Sequence, residues 1–124
     1  MTYEILGKDK PYLGSEDSLQ KMFTVFMRRQ YPNVLWFHPP NGGNRNAIEG
    51  AKFKAMGVRP GVSDIIILEP RKGFHGLFIE LKKKAGSLQP SQKAFLTAAM
   101  ERNYLCVVCY NLDVAMQAVN NYLK

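Results

Sequence analysis

The chain has few of the residues that staple, span or export a protein. Its only cysteines, Cys106 and Cys109, lie in Leu105-Cys106-Val107-Val108-Cys109-Tyr110. A zinc site would need a second pair, and a redox motif at this spacing needs a turn; the stretch offers neither. Residues three apart on a strand point to opposite faces, so the two thiols read as separate, buried side chains. No apolar run approaches the roughly 20 residues that cross a bilayer, so no membrane partner is expected. The start, Met1-Thr2-Tyr3-Glu4, lacks the basic and then apolar character of a signal peptide. The expected location is therefore the cytoplasm, the host's if the protein is viral. Internal repeats and low-complexity segments are absent as well.

Acids are the scarce charge. The 124 residues hold 17 lysines and arginines against 10 acids, a formal charge of +7. The excess is local. Between Asn41 and Lys93 ten basic residues oppose four acids, so this stretch carries six of the seven net charges. A polyanion is the natural partner for such a surface. With 46% apolar and 22% charged residues, the composition is that of one globular domain with its own core.

Periodicity gives the order of elements. Ser15-Glu16 opens a helical pattern with Leu19, Met22, Phe23 and Phe26 on one side, expected to stop near Tyr31-Pro32. Val34 to His38 is a short apolar strand closed by Pro39-Pro40, and a polar loop, Asn41 to Asn46, follows. A second helix is expected from about Ala47 to Met56, with Gly57 as its stop. Pro90 suits the first turn of a third helix carrying Phe95, Leu96, Ala99 and Met100. Tyr104 to Tyr110 reads as a buried strand, and a last helix from Asp113 carries Val114, Ala118, Tyr122 and Leu123. Trp36, Phe37 and Phe78 read as core residues. Residues 1–14 give little sign of regular structure. The order predicts an α/β fold, a mixed sheet with helices on both sides and one helical crossover.

The chemistry concentrates in a hairpin. Asp64 opens its first strand, Ile65 to Leu68; Pro70-Arg71-Lys72-Gly73 makes the turn; and Leu77 to Lys82 returns with Glu80-Leu81-Lys82. Alternation puts Glu80 and Lys82 on one face and Ile79 and Leu81 on the other. A carboxylate and an ammonium projecting from one face of an apolar strand need a partner. A divalent cation with an activated water meets that need.

These residues resemble a family. Ser15-Glu16, Asn41-Gly42-Gly43, Gly57-Val58-Arg59-Pro60-Gly61-Val62-Ser63-Asp64, Gly76-Leu77-Phe78-Ile79-Glu80-Leu81-Lys82 and Gln92 look like the PD-(D/E)xK nuclease superfamily. Within it they are similar to the VRR-NUC group, above all its small stand-alone phage members. The resemblance implies a restriction-endonuclease-like αβββαβ core with a mixed central sheet flanked by helices. It divides the chain into an N-terminal arm, 1–14, and a nuclease domain, 15–124. It also implies roles. Asp64, Glu80 and the Leu81 backbone carbonyl would bind Mg²⁺ or Mn²⁺, and Glu16 would complete the metal site from the first helix. Lys82 would orient or deprotonate the attacking water, with Gln92 beside it. Asn41, Gly42, Gly43, Arg45, Lys52, Arg59, Lys83 and Lys84 are candidates for DNA contacts. Ser63 departs from a frequent proline, and Gln89 from a frequent capping serine.

The expected activity is metal-dependent DNA endonuclease cleavage selected by DNA structure, with four-way junction resolution by a homodimer as the leading form. A nickase or flap-type nuclease is the alternative, and a catalytically silent DNA-binding module is the reading from another class. Blander explanations exist for single residues. Glu16 is also favoured in a first helical turn by the macrodipole, and Asn41-Gly42-Gly43 also suits a plain turn. Lys83 and Lys84 also fit a solvated loop. His38 ends the first strand within reach of the site, whereas His75 belongs to the exposed hairpin turn.

Overall fold

The computed structural model describes residues 2–40 and 47–124. In chain order the elements are β1 (Glu4–Leu6), α1 (Glu16–Gln30), β2 (Trp36–Phe37), α2 (Ala47–Ala55), β3 (Ile65–Ile67), β4 (Leu77–Leu81), α3 (Pro90–Glu101), β5 (Leu105–Cys109) and α4 (Leu112–Leu123). The strands form one sheet in the order β1-β5-β4-β3-β2. The pairs β2–β3 and β3–β4 are antiparallel, and β4–β5 and β1–β5 are parallel, so the sheet is mixed as expected. The fold is consistent with a restriction-endonuclease-like core.

Local chemistry explains where the helices begin. The Ser15 side chain caps α1 by accepting from the Ser18 N–H at 3.1 Å. Glu16 and Asp17 in the first turn and Arg28 and Arg29 in the last both complement the helix dipole. Asn111 caps α4 in the same way, through the Val114 N–H at 2.9 Å. The hairpin turns at Lys72-Gly73, both with positive φ, and Arg71 and Phe74 exchange backbone hydrogen bonds across it. That is the geometry whose twist matches the two strands it joins.

Alternation along the strands divides the core into two layers. Ile65, Ile67, Leu77, Ile79, Leu81, Val107 and Cys109 face α1 and α4, which bury Leu19, Phe23, Met27, Ala115, Val119 and Tyr122 against them. Ile66, Phe78, Cys106 and Val108 face α3 and its Leu96, Ala99 and Met100. The two cysteines thus lie on opposite faces, and burial pushes both thiols up to about 12. On opposite faces of the sheet the two thiols cannot act as a pair, and burial disfavours the reactive thiolate of each.

Three expectations need amendment. Residues 2–13 are tied to the sheet rather than left as an arm. β1 pairs with β5, and Tyr12 continues the stitching, its N–H donating to the Tyr110 carbonyl and its carbonyl accepting from the Lys84 N–H. Phe37 is no core residue, being 48% exposed. It pairs with Ile66 and so faces the α3 side, but β2 is the sheet edge and α3 does not reach that far. Trp36 and Phe78 do join the core. Finally, β2 is shorter than Val34–His38, and Lys82 directly follows β4 rather than lying within it. Among the described residues no helix is long and apolar enough to cross a membrane.

Candidate active site

β4 carries Glu80 into the α3 face of the sheet, where it is 2% exposed, and Lys82 one pleat further is 6% exposed. Burying either charge alone would be costly. One side chain compensates for both. Gln92, in the first turn of α3, donates from Nε2 to Glu80 Oε1 at 3.0 Å and accepts at Oε1 from Lys82 Nζ at 3.0 Å. The same oxygen accepts the Gln89 backbone N–H at 2.8 Å, which ties the bridge to the start of α3. Two donors on that oxygen fix the amide orientation, so the nitrogen must face the carboxylate.

Asp64 closes the other side. Its Oδ2 accepts from the Leu81 N–H at 2.7 Å, locking the entry to β3 against the end of β4. The Glu80 carboxyl is pushed up to about 9, first by burial, then by the negative charge of Asp64 and by side-chain hydrogen bonding with it; Lys82 opposes this and Glu16 adds to it. Glu80 Oε2 has no hydrogen-bond partner. Two carboxyl groups crowded together with one oxygen unpartnered require either a shared proton or a cation between them. Glu16, at the start of α1, approaches from the helix side. A Cβ built on Gly86 would lie 3.3 Å from Glu16 Oε2 and 3.4 Å from Lys82 Cδ, so the Gly86 loop packs directly on both.

Two clefts open on these groups. One, of about 210 Å³, is lined by Glu16, Asp64, Glu80 and Gln92 with Gly61 and Ser91. The second, of about 120 Å³, holds Glu16, Asp17, Gln20, His38, Asp64 and Leu81. Glu16 and Asp64 belong to both. His38 Nδ1 lies 2.6 Å from the Asp64 carbonyl. A carbonyl only accepts, so that nitrogen carries the proton and the ring is oriented by the very residue it flanks. Among the described residues no three acidic, histidine or cysteine side chains gather as a ready-made metal cage. Carboxylates supplemented by backbone and water suit Mg²⁺, which retains several waters, better than they suit a metal that needs a full protein shell. The unpartnered Glu80 oxygen and the all-oxygen donor set fit such an ion.

Glu16, Asp64, Glu80, Lys82 and Gln92, picked out by sequence, therefore converge on one place, and Leu81 lines it. Lys52, Arg59, Lys83 and Lys84 are exposed, with Lys83 and Lys84 directly following Lys82 in the chain. Asn41, Gly42, Gly43 and Arg45 lie outside the described residues. Ser63, the residue at the departed proline position, is fully buried, its hydroxyl without a partner. Sequence reasoning missed how closely Gly61 packs on α3. Its φ is +83°, and a Cβ there would lie 2.3 Å from the Ser91 carbonyl oxygen. A glycine three residues before a catalytic-type aspartate was the available signal.

Comparisons with known proteins bear on the family and the fold. The family model described as VRR-NUC domain matches residues 24–112. A solved structure titled "VRR_NUC domain protein" is 31% identical and superimposes with a TM-score of 0.77, over 89% of this chain and 88% of that one. A comparison with curated proteins finds no match.

Proposed function

The chain belongs to the VRR-NUC domain family, a family of nuclease domains, and on that premise we propose that it is a metal-dependent DNA endonuclease. The observation that carries the reading is the buried Glu80 carboxyl, crowded by Asp64, bridged by Gln92 to Lys82 and with one oxygen unpartnered. Asp64, Glu80 and the Leu81 carbonyl would hold Mg²⁺ or Mn²⁺, and Glu16 would reach it directly or through water. When bound there, the cation would supply a water of lowered pKa and would neutralise charge building on the phosphate oxygens. Lys82 Nζ, pinned by Gln92 Oε1, orients the attacking water and shares its proton. The Gln92 amide keeps the Glu80 and Lys82 heads at fixed separation. The basic surface, including Lys83 and Lys84 just after β4, draws in the DNA backbone.

The finer reading is a small phage-type member of the PD-(D/E)xK superfamily that selects DNA by structure. Its leading form is a homodimer resolving four-way junctions, since paired nicks require two symmetry-related centres. A nickase or flap-type nuclease, for which one centre suffices, is the second form, favoured by the aromatic cleft described below. Labelled junction, matched linear duplex and flap DNA, each incubated with Mg²⁺, separate these. Paired symmetric nicks in the junction support resolution, and preferential cutting of the flap supports the second form. Tight, salt-sensitive binding with no cutting of any substrate would leave only a DNA-binding module.

A further inference from the structure

A second, larger cleft lies on the same face of β4 as Glu80, about two residues along the strand. Its volume is about 450 Å³, roughly twice that beside the carboxylates. The smaller cleft has room for a phosphate and its waters; the larger is of the size that takes flat organic ligands. Its walls are aromatic. Phe95 of α3, Phe78 of β4 and Tyr104 form a ladder, with ring centroids 5.8 Å apart at 21° between Phe78 and Phe95 and 4.7 Å apart at 19° between Phe78 and Tyr104. The guanidinium of Arg59 lies 5.8 Å above the Phe95 ring. Arg102 also lines the cleft, with its Nη1 donating to the Ala98 carbonyl at 2.9 Å, and no acid is among the described residues that line it. Phe78 belongs to the core, but Phe95 and Tyr104 are only half-buried and both arginines are exposed.

Phe95 and Tyr104 pack against the core through Phe78 and still leave part of their surface open at the cleft. Half-open aromatics between two guanidinium groups match a planar, electron-rich group attached to an anion. Each residue of a strand advances about 3.4 Å, so the separation of Phe78 from Glu80 is about 7 Å. DNA rises about 3.4 Å per nucleotide, so the cleft lies within one or two nucleotides of the proposed cut. Bases within an intact duplex are stacked on one another and cannot enter; an unpaired base can.

We infer that the cleft bounded by Arg59, Phe95, Tyr104 and Arg102 binds an unpaired nucleobase of the DNA substrate next to the scissile phosphate. The inference rests on the nuclease reading above. It assigns the protein a preference for forked, flapped or frayed DNA, in which a free base stacks against the rings while Arg59 and Arg102 hold its phosphates.

The test is a forked duplex with 2-aminopurine in its unpaired arm, mixed with the protein in EDTA so that nothing is cut, with binding followed separately by anisotropy. Stacking quenches the probe, so its emission falls on binding. Phe95→Leu, which keeps the apolar volume but removes the ring, and Arg59→Ala, on an exposed segment, both abolish the fall. Each also lowers the ratio of fork to duplex affinity by roughly tenfold, as expected for the loss of one stacked base. Binding by anisotropy without any emission change would overturn the cleft assignment and leave the nuclease reading intact. So would a change of sedimentation mass in either variant, which would make the cleft a surface between copies of the chain. No binding to any DNA would remove the reading on which the inference stands.

Discussion

Burial, the neighbouring Asp64 and the Gln92 amide all act on one carboxyl group, that of Glu80. Its pKa, raised from 4.5 to about 9, fixes the sign of a stability effect. Between those two values the folded, metal-free chain holds a proton that the unfolded chain has lost, so stability declines as pH rises through that window. Urea midpoints measured in EDTA should therefore fall between pH 6 and pH 9, and Glu80→Gln should flatten the fall. A midpoint that rises with pH in the native protein but not in the variant would contradict the assignment. Mg²⁺ should oppose the decline by displacing the proton. Gln92 is the complementary case, because its amide holds Glu80 and Lys82 without taking part in the chemistry. Gln92→Leu should lower cleavage by roughly 10- to 100-fold, the usual cost of losing an outer support, with little change in DNA affinity. At this scale the sequence was largely legible. Asp64, Glu80 and Lys82 stood out as charges on an apolar hairpin, whereas Gln92 was named only through the family resemblance. The bridge itself was not, since nothing in the spacing of Gln92 says that one oxygen accepts from two donors.

Among the elements, the start of α3 matters most, since it presents Gln92 to β4. Pro90 opens the helix and the Gly61 loop packs flat against the Ser91 carbonyl. Gly61→Ala forces a Cβ into that carbonyl at a left-handed φ. The expected cost is about 2 kcal/mol or more in urea unfolding, together with lower activity as α3 is pushed away. An unchanged midpoint would mean that the contact is looser than the geometry indicates. The hairpin, the crossover from β4 through α3 to β5, and all four helices followed from periodicity, caps and turn residues. β1 did not, because three residues at a sheet edge carry too little alternation to stand out from a loop. Phe37 misled because alternation assigns a side chain to a face but does not say whether any helix covers that face. α2 shows the same limit: its exposed Ile48, at 82% exposure, lies on a helix that packs little against the sheet.

For the whole molecule, charge is the dominant property, and it was readable from composition. A formal +7, six of it carried by the stretch between Asn41 and Lys93, predicts DNA affinity that falls steeply with salt. Replacing Lys83 and Lys84 together by alanine should make the slope of log affinity against log salt shallower by about two, provided that each contacts a phosphate. An unchanged slope would return both to the solvated loop. The most direct test of the central claim is cleavage of labelled forked DNA by the native protein and by Glu80→Gln, each with Mg²⁺ and with EDTA. The account predicts strand cutting only by the native protein and only with the metal. Cutting that survives in EDTA, or in Glu80→Gln at the native rate, would contradict it.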